Sequence, residues 1–242
     1  MRRRTVTALT VGAPLLGLGA AHAAPALTAR RPIRRLLPRL EGWGARDGVA
    51  LTFDDGPDPS GTPAVLAALA DLGWTATFFL LGSQVHRYPG VARDVVAAGH
   101  EIGVHGYLHR NHLVRRPGSV RRDLERATAT ISSATGVRPR WFRPPYGVLS
   151  AGSLRAAAAL ELTPVLWSVW GRDWERTSPE RIRDTLLAGL RPGATLLLHD
   201  SDCTARPGSW EATAAALPLL ARALDRRGLV VRPLGVHLSL RP

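Results

Sequence analysis

The sequence predicts an α/β fold, a parallel sheet covered by helices, either doubly wound or closed into a barrel. Three observations predict it. From residue 49 onward, short apolar runs alternate one for one with helical patterns. The runs are continuously apolar, without the in-out alternation of a sheet that has one wet face, so both faces are covered. Several helical stretches open on Ser or Pro and close on Gly, the residues that suit helix starts and ends. With 45% hydrophobic residues over 242 positions the chain can bury a full core, and no internal repeat divides it.

Taken in order, the first strand is "VALTF" (49–53), followed by a helix over 61–73. "TATFFLL" (75–81) leads to a helix over 88–100, and "EIGVH" (101–105) to one over 117–136. "RWFR" (140–143) precedes a helix over 150–162, and "PVLWSV" (164–169) one over 178–190. "ATLLLHD" (194–200), a helix over 209–228 and "LVVRPL" (229–234) complete the domain, which spans residues 47–242.

Ahead of it lie two segments of different character. Residues 1–23 have a basic start at Arg2–Arg4, an apolar middle and an Ala21-His22-Ala23 ending, the order of parts in a secretory signal peptide. The expected product is secreted or associated with the cell envelope; an uncleaved membrane anchor is the alternative. Residues 24–46 hold six arginines, three prolines and one acid with no sustained apolar period. They read as a basic arm or linker, with attraction to an anionic cell-wall polymer weighed against a plain solvated tether.

The formal charge of +13 comes entirely from arginine. Those arginines are not interleaved with aromatics along a stripe, and an exported chain rarely meets DNA, so nucleic acid is not an expected partner. Cys203 is the single cysteine, so no intrachain disulfide can form and burial alone must hold the core.

In parallel α/β folds, reactive residues sit at the carboxyl ends of the strands. The polar residues there are Asp54 and Asp55 after the first strand, His105 and His109 after the third and Arg143 after the fourth. Asp173 comes soon after the fifth, and His199 and Asp200 end the sixth. His105 and His109, four apart, share one face if their segment makes a helical turn, at a separation that suits a metal. Two imidazoles and one carboxylate leave an open position for water, the catalytic arrangement of zinc. In extended backbone, adjacent side chains diverge, so one acid can bind the metal while the other serves as base to the attacking water. His112 reads as a surface residue. Trp141 and Trp167 fall inside strands and read as core; Trp170 and Trp174 read as cleft.

With "TFDDGP", "HGYLH", "RPPYG", "GRDW" and "LLLHD" in this order, the chain resembles the polysaccharide deacetylases of carbohydrate esterase family 4, which share the NodB homology domain. The resemblance covers residues 49 to about 235. It implies a distorted (β/α) barrel that hydrolyses the N-acetyl group of an N-acetylhexosamine polymer with one divalent metal, usually zinc. Peptidoglycan, chitin-like chains and exopolysaccharide are all compatible, a monomer is expected, and the alternatives are a wall-associated sugar-binding protein with the same fold and little turnover or a hydrolase of a smaller non-peptide amide. By resemblance, Asp55, His105 and His109 match the metal ligands and Asp54 the general base, with Arg143 the arginine that orients and holds it. Tyr146 matches the residue whose backbone N–H binds the oxyanion, His199 the general acid, and Asp173 the carboxylate that tunes it. Trp174 and Leu197 match the walls of the acetyl pocket. Two positions depart from the pattern. Gly106 stands where Ser or Thr is usual, which removes a loop hydrogen bond between the histidines. Trp170 replaces the first acid of a D-x-x-D-W run, which predicts altered substrate contacts.

Overall fold

Eight strands pair in parallel throughout the computed structural model of the chain, which describes residues 19–175 and 177–239. The expected leader falls outside the described residues up to position 18. The strands are β1 (Gly48–Asp54), β2 (Thr77–Leu80), β3 (Glu101–Val104), β4 (Trp141–Phe142), β5 (Thr163–Pro164), β6 (Val169–Trp170), β7 (Thr195–His199) and β8 (Val230–Arg232). Their order is β5-β4-β3-β2-β1-β7-β6, with β8 beside the first half of β1 and β2 beside the second.

Every residue of β1 is buried, because strands flank it on both edges and helices cover its faces. All six predicted helices form: Gly61–Asp71, Pro89–Ala97, Pro117–Thr135, Ala151–Ala159, Pro179–Gly189 and Ser209–Asp225. The Ala151–Ala159 helix starts on a reciprocal cap in which Ser150 and Ser153 satisfy each other's backbone N–H groups.

The predicted strand over 164–169 is two strands. β5 pairs with β4 and β6 pairs with β7 at opposite ends of the sheet, so residues 165–168 must cross between them. The crossing closes the sheet into a distorted barrel. Its backbone is held by Val165 N–H donating to the Phe142 carbonyl at 2.9 Å and Ser168 N–H donating to the Thr195 carbonyl at 3.1 Å. The last strand is shorter than predicted, because Pro233 has no N–H to continue the ladder and residues Leu234–Ser239 turn into a helix.

Residues 24–46 differ most from expectation. The presumed arm is folded onto the barrel as a 3-10 turn (Ala24–Ala29) and two short helices (Arg31–Arg34 and Pro38–Glu41). The Leu40 carbonyl accepts from Leu166 N–H at 2.7 Å, and the Gly42 carbonyl accepts from the Thr195 hydroxyl at 2.6 Å. Leu40 and Trp43 pack against the core, and buried Glu41 accepts from the Trp43 indole N–H at 2.7 Å. The seam at residues 165–168 leaves the Leu166 N–H without a strand partner, and this segment satisfies it. Among the described residues, no helix is long and apolar enough to cross a membrane.

Candidate active site

The rim at the carboxyl ends of the strands opens into a pocket of about 530 Å³. Around it lie Asp54, Asp55, His105, His109, Tyr146, Trp174, Leu197 and His199. Arg143 and Asp173 stand behind this lining, each buried and bonded to a residue that faces it. The β1–β7 register sets Asp54 directly opposite His199.

Asp54 and Asp55 diverge for a reason other than the strand pleat. β1 ends at Asp54, and Asp55 takes a left-handed conformation with φ of +79°, which Asp tolerates better than most residues. Gly56 follows because a Cβ there would meet the Asp200 carboxylate at 2.2 Å. Asp200 itself is absent from the pocket. It is buried, accepts from the Thr62 hydroxyl at 2.5 Å and is pushed up to about 7 by burial, which makes it an anchor for the Gly61–Asp71 helix.

The "HGYLH" segment is a loop and not a helical turn. Both histidines nevertheless aim at one atom: Asp55 Oδ1 lies 3.3 Å from His105 Nε2 and 3.6 Å from His109 Nε2. That oxygen is buried and has no hydrogen-bond partner among the described residues. A ligand atom from each of the three residues lies within 4.8 Å of the others. An orphaned carboxylate oxygen facing two imidazole nitrogens is a donor set that a divalent cation would satisfy, so the residues fit the expected metal. His105 Nδ1 lies 2.8 Å from the Arg143 carbonyl. With the ring proton there, Nε2 presents its lone pair to the site.

Burial disfavours the Asp55 carboxylate, yet the facing imidazoles, His105 foremost, hold its pKa well below the usual range. Burial also opposes charge on His105, but Asp54 and Asp55 raise its pKa. His109 is held down at about 4 by burial and by His105.

Gly106 sits at φ +99°, a conformation that favours glycine, so a hydroxyl-bearing residue would be strained here. The loop is instead tied by Asp123, whose Oδ2 accepts from Tyr107 N–H at 2.8 Å while Oδ1 accepts from Arg115 at 2.9 Å.

Arg143 is fully buried and its guanidinium reaches two segments, β1 and the crossing at 165–168. One guanidinium nitrogen donates to Asp54 Oδ1 at 2.7 Å and to the Thr52 hydroxyl at 2.8 Å, and the other to the Leu166 carbonyl at 2.8 Å. On the far side, His199 Nδ1 lies 2.9 Å from Asp173 Oδ1, and Asp173 Oδ2 accepts from His199 N–H at 2.7 Å and the Thr213 hydroxyl at 2.9 Å. Burial opposes charge on His199, but Asp173 overrides it and the pKa is raised to about 10.

Tyr146 also has a positive φ, +60°, and its exposed ring meets His109 edge-on with centroids 4.4 Å apart. The indoles of Trp170 and Trp174 stack at 4.0 Å. Trp167 is buried as expected but also lines the pocket, with the Arg34 guanidinium 5.2 Å above it. His112 is not on the surface: it is fully buried against Phe142 and held down at about 4 by burial.

Three lining residues carried no signal in the sequence. Thr204 donates its hydroxyl to Asp55 Oδ2, and Ala29 and Arg34 come from the presumed arm. Thr204 lies on an irregular loop, and the arm has no apolar period to place it on the barrel.

Fold and site together define a barrel hydrolase with an acid-histidine cluster at its strand ends that could hold a metal ion. Residues 44–165 match the family model described as "Polysaccharide deacetylase". The chain is 40% identical over 197 residues to a chitooligosaccharide deacetylase of Bradyrhizobium sp. (strain ANU 289), covering 77% of this chain and 88% of that protein. It is 34% identical to a peptidoglycan-N-acetylglucosamine deacetylase of Bacillus cereus, over 71% of this chain and 62% of the relative. Among solved structures, the family 4 carbohydrate esterase from Streptomyces lividans in complex with acetate is similar, with a TM-score of 0.69 and 33% identity over 76% of this chain and 91% of that one. The chain belongs to the polysaccharide deacetylase family, carbohydrate esterase family 4, hydrolases of carbon-nitrogen bonds other than peptide bonds.

Proposed function

We propose that the protein is a secreted or envelope-associated, metal-dependent deacetylase that removes N-acetyl groups from an N-acetylhexosamine polymer. The observation that carries this reading is the orphaned Asp55 Oδ1, buried beside two imidazole nitrogens, one of which, His105 Nε2, also lies 3.8 Å from the arginine-held carboxylate of Asp54. Relatives named for chitooligosaccharide and peptidoglycan support the substrate class. The basic, then apolar, then small-residue order of residues 1–23 supports export.

Asp55, His105 and His109 would hold the ion, for which zinc is the best match to the nitrogen-rich donor set. The ion would supply a Lewis acid and acidify a water. The remaining chemistry falls to the chain. Asp54, fixed by Arg143, takes the proton of the attacking water. The backbone N–H of Tyr146, which donates to no backbone acceptor among the described residues, is free to bind the developing oxyanion. His199, kept protonated by Asp173, gives its proton to the departing amine. Leu197 and Trp174 enclose the methyl of the acetyl group.

Acetate release from peptidoglycan, chitin oligomers and exopolysaccharide, before and after chelation, tests the proposal. The expected result is release from at least one polymer, abolished by chelator and restored by zinc. Chelator-resistant release would sink the metal-dependent reading, and no release from any of them would favour a sugar-binding protein with this fold.

A further inference from the structure

A second groove, of about 630 Å³, descends from the rim along β6 toward the amino end of β7 and shares Arg34, Trp167 and Trp170 with the pocket. Five arginines line it: Arg31, Arg34 and Arg35 from the segment ahead of β1, Arg172 beside the Asp173 loop, and Arg191 before β7. No acidic residue is in the lining. Among the described residues, Arg31, Arg35, Arg172 and Arg191 make no ion pair and no side-chain hydrogen bond, although carboxylates elsewhere on the surface are paired with arginine. Like charges gathered in one concave surface repel one another unless an anion joins them.

A second observation points to a ligand. The indole Nε1 of Trp170 is a buried donor without a hydrogen-bond partner among the described residues, and the Nε of Arg34, a residue only 6% exposed, has none either, its one acidic neighbour being Glu41 Oε1 at 3.7 Å, beyond hydrogen-bond reach. Both residues stand where groove and pocket meet. Guanidinium groups pair in fork geometry with carboxylate or phosphate, and indole faces take the apolar face of a sugar ring.

We propose that this groove binds carboxylates carried by the same glycan chain whose N-acetyl group enters the pocket, so that the preferred substrate is an acidic aminosugar polymer and not a neutral one. The proposal rests on the deacetylase reading for the identity of the chain. Because the two cavities share walls, an anion on the substrate itself fits better than one on a separate polymer.

Calorimetric titration of the full-length protein tests this. The probes are a soluble glycan fragment with free carboxylates, the same fragment with its carboxylates amidated, and a neutral N-acetylglucosamine oligomer. The acidic fragment should bind about fivefold to tenfold more tightly than its amidated form at low salt, a preference that shrinks as salt rises. In the triple variant Arg31→Gln/Arg35→Gln/Arg191→Gln that preference should vanish, while thermal unfolding and binding of the neutral oligomer stay unchanged. Equal affinity for acidic and amidated fragments, or a preference that survives the triple substitution, overturns the proposal. Binding of poly(glycerol phosphate) with no contribution from glycan carboxylates would identify a separate phosphate polymer and overturn it too. Titration reads binding and not turnover, so a protein that prefers the acidic fragment yet releases no acetate would support the groove and refute the deacetylase.

Discussion

The guanidinium of Arg143 meets the Asp54 carboxylate at 2.7 Å where neither side chain is more than 3% exposed, and the carbonyl of the same arginine receives His105 Nδ1. One residue at the end of β4 therefore fixes both the presumed base on β1 and the ring orientation of a presumed metal ligand after β3. Replacing Arg143 with Met should leave Asp54 buried and unpaired. Breaking such a pair from one side costs about 3–5 kcal/mol. Denaturant unfolding should show a loss of that order together with loss of acetate release; a stability loss under 1 kcal/mol would mean that the pair is not what holds this rim.

His109→Ala should lose the tightly bound metal, because a carboxylate and one imidazole remain. In the metal-free site His105 has a raised pKa, so ion uptake must displace its proton. Zinc titrations in buffers of different ionisation enthalpy should report proton release, and affinity should fall as pH is lowered. Retention of a full zinc equivalent by the His109→Ala protein would refute the ligand assignment.

Thr204 donates to Asp55 Oδ2 and so leaves Oδ1 to face the histidines. Thr204→Val removes the donor with little change in volume. Metal affinity should fall about tenfold to a hundredfold, as when other partners of metal ligands are removed. Thr204→Ser should restore it. Competition with a chelator of known affinity measures both.

His199 has a pKa raised to about 10 by Asp173 against the opposing effect of burial, so its acid form persists through neutral pH and is lost as pH rises. A bound dication nearby would lower that value, placing the alkaline limb of the activity profile below 10. Asp173→Asn removes the charge that raises the pKa and should shift the limb further down. His199→Ala should cost about a hundredfold to ten-thousandfold in rate. An alkaline limb that does not move in Asp173→Asn would show that another group governs it.

A chain beginning at Asp47 should be markedly less stable than the full-length protein. It loses the Leu40 and Gly42 carbonyls that satisfy Leu166 and Thr195, along with the apolar contacts of Leu40 and Trp43. Thermal unfolding of the two forms measures this, and coincident transitions would restore the segment to the status of a tether.

Local chemistry is legible wherever it depends on residue type and short spacing. The alternation of apolar runs with helical periods prescribes parallel strands covered by helices, because burying both faces of a strand demands that pattern. Polar residues at the ends of those runs, Asp54, Asp55, His105, His109 and His199, mark the rim before any coordinate is known. Tertiary structure alone decides matters that depend on groups far apart in the chain. Asp55 owes its exposure to the two histidines to a left-handed turn, with Gly56 packed on the carboxylate of Asp200, some 144 residues later. The apolar run 164–169 looks like one strand because its sequence cannot reveal that its two ends pair with opposite edges of the sheet. Nor can a stretch with six arginines and no period announce that its carbonyls complete the barrel seam. Periodicity records which faces are buried; it carries no record of which distant backbone group needs a partner, and that need fixes the N-terminal segment and brings Arg34 to the pocket.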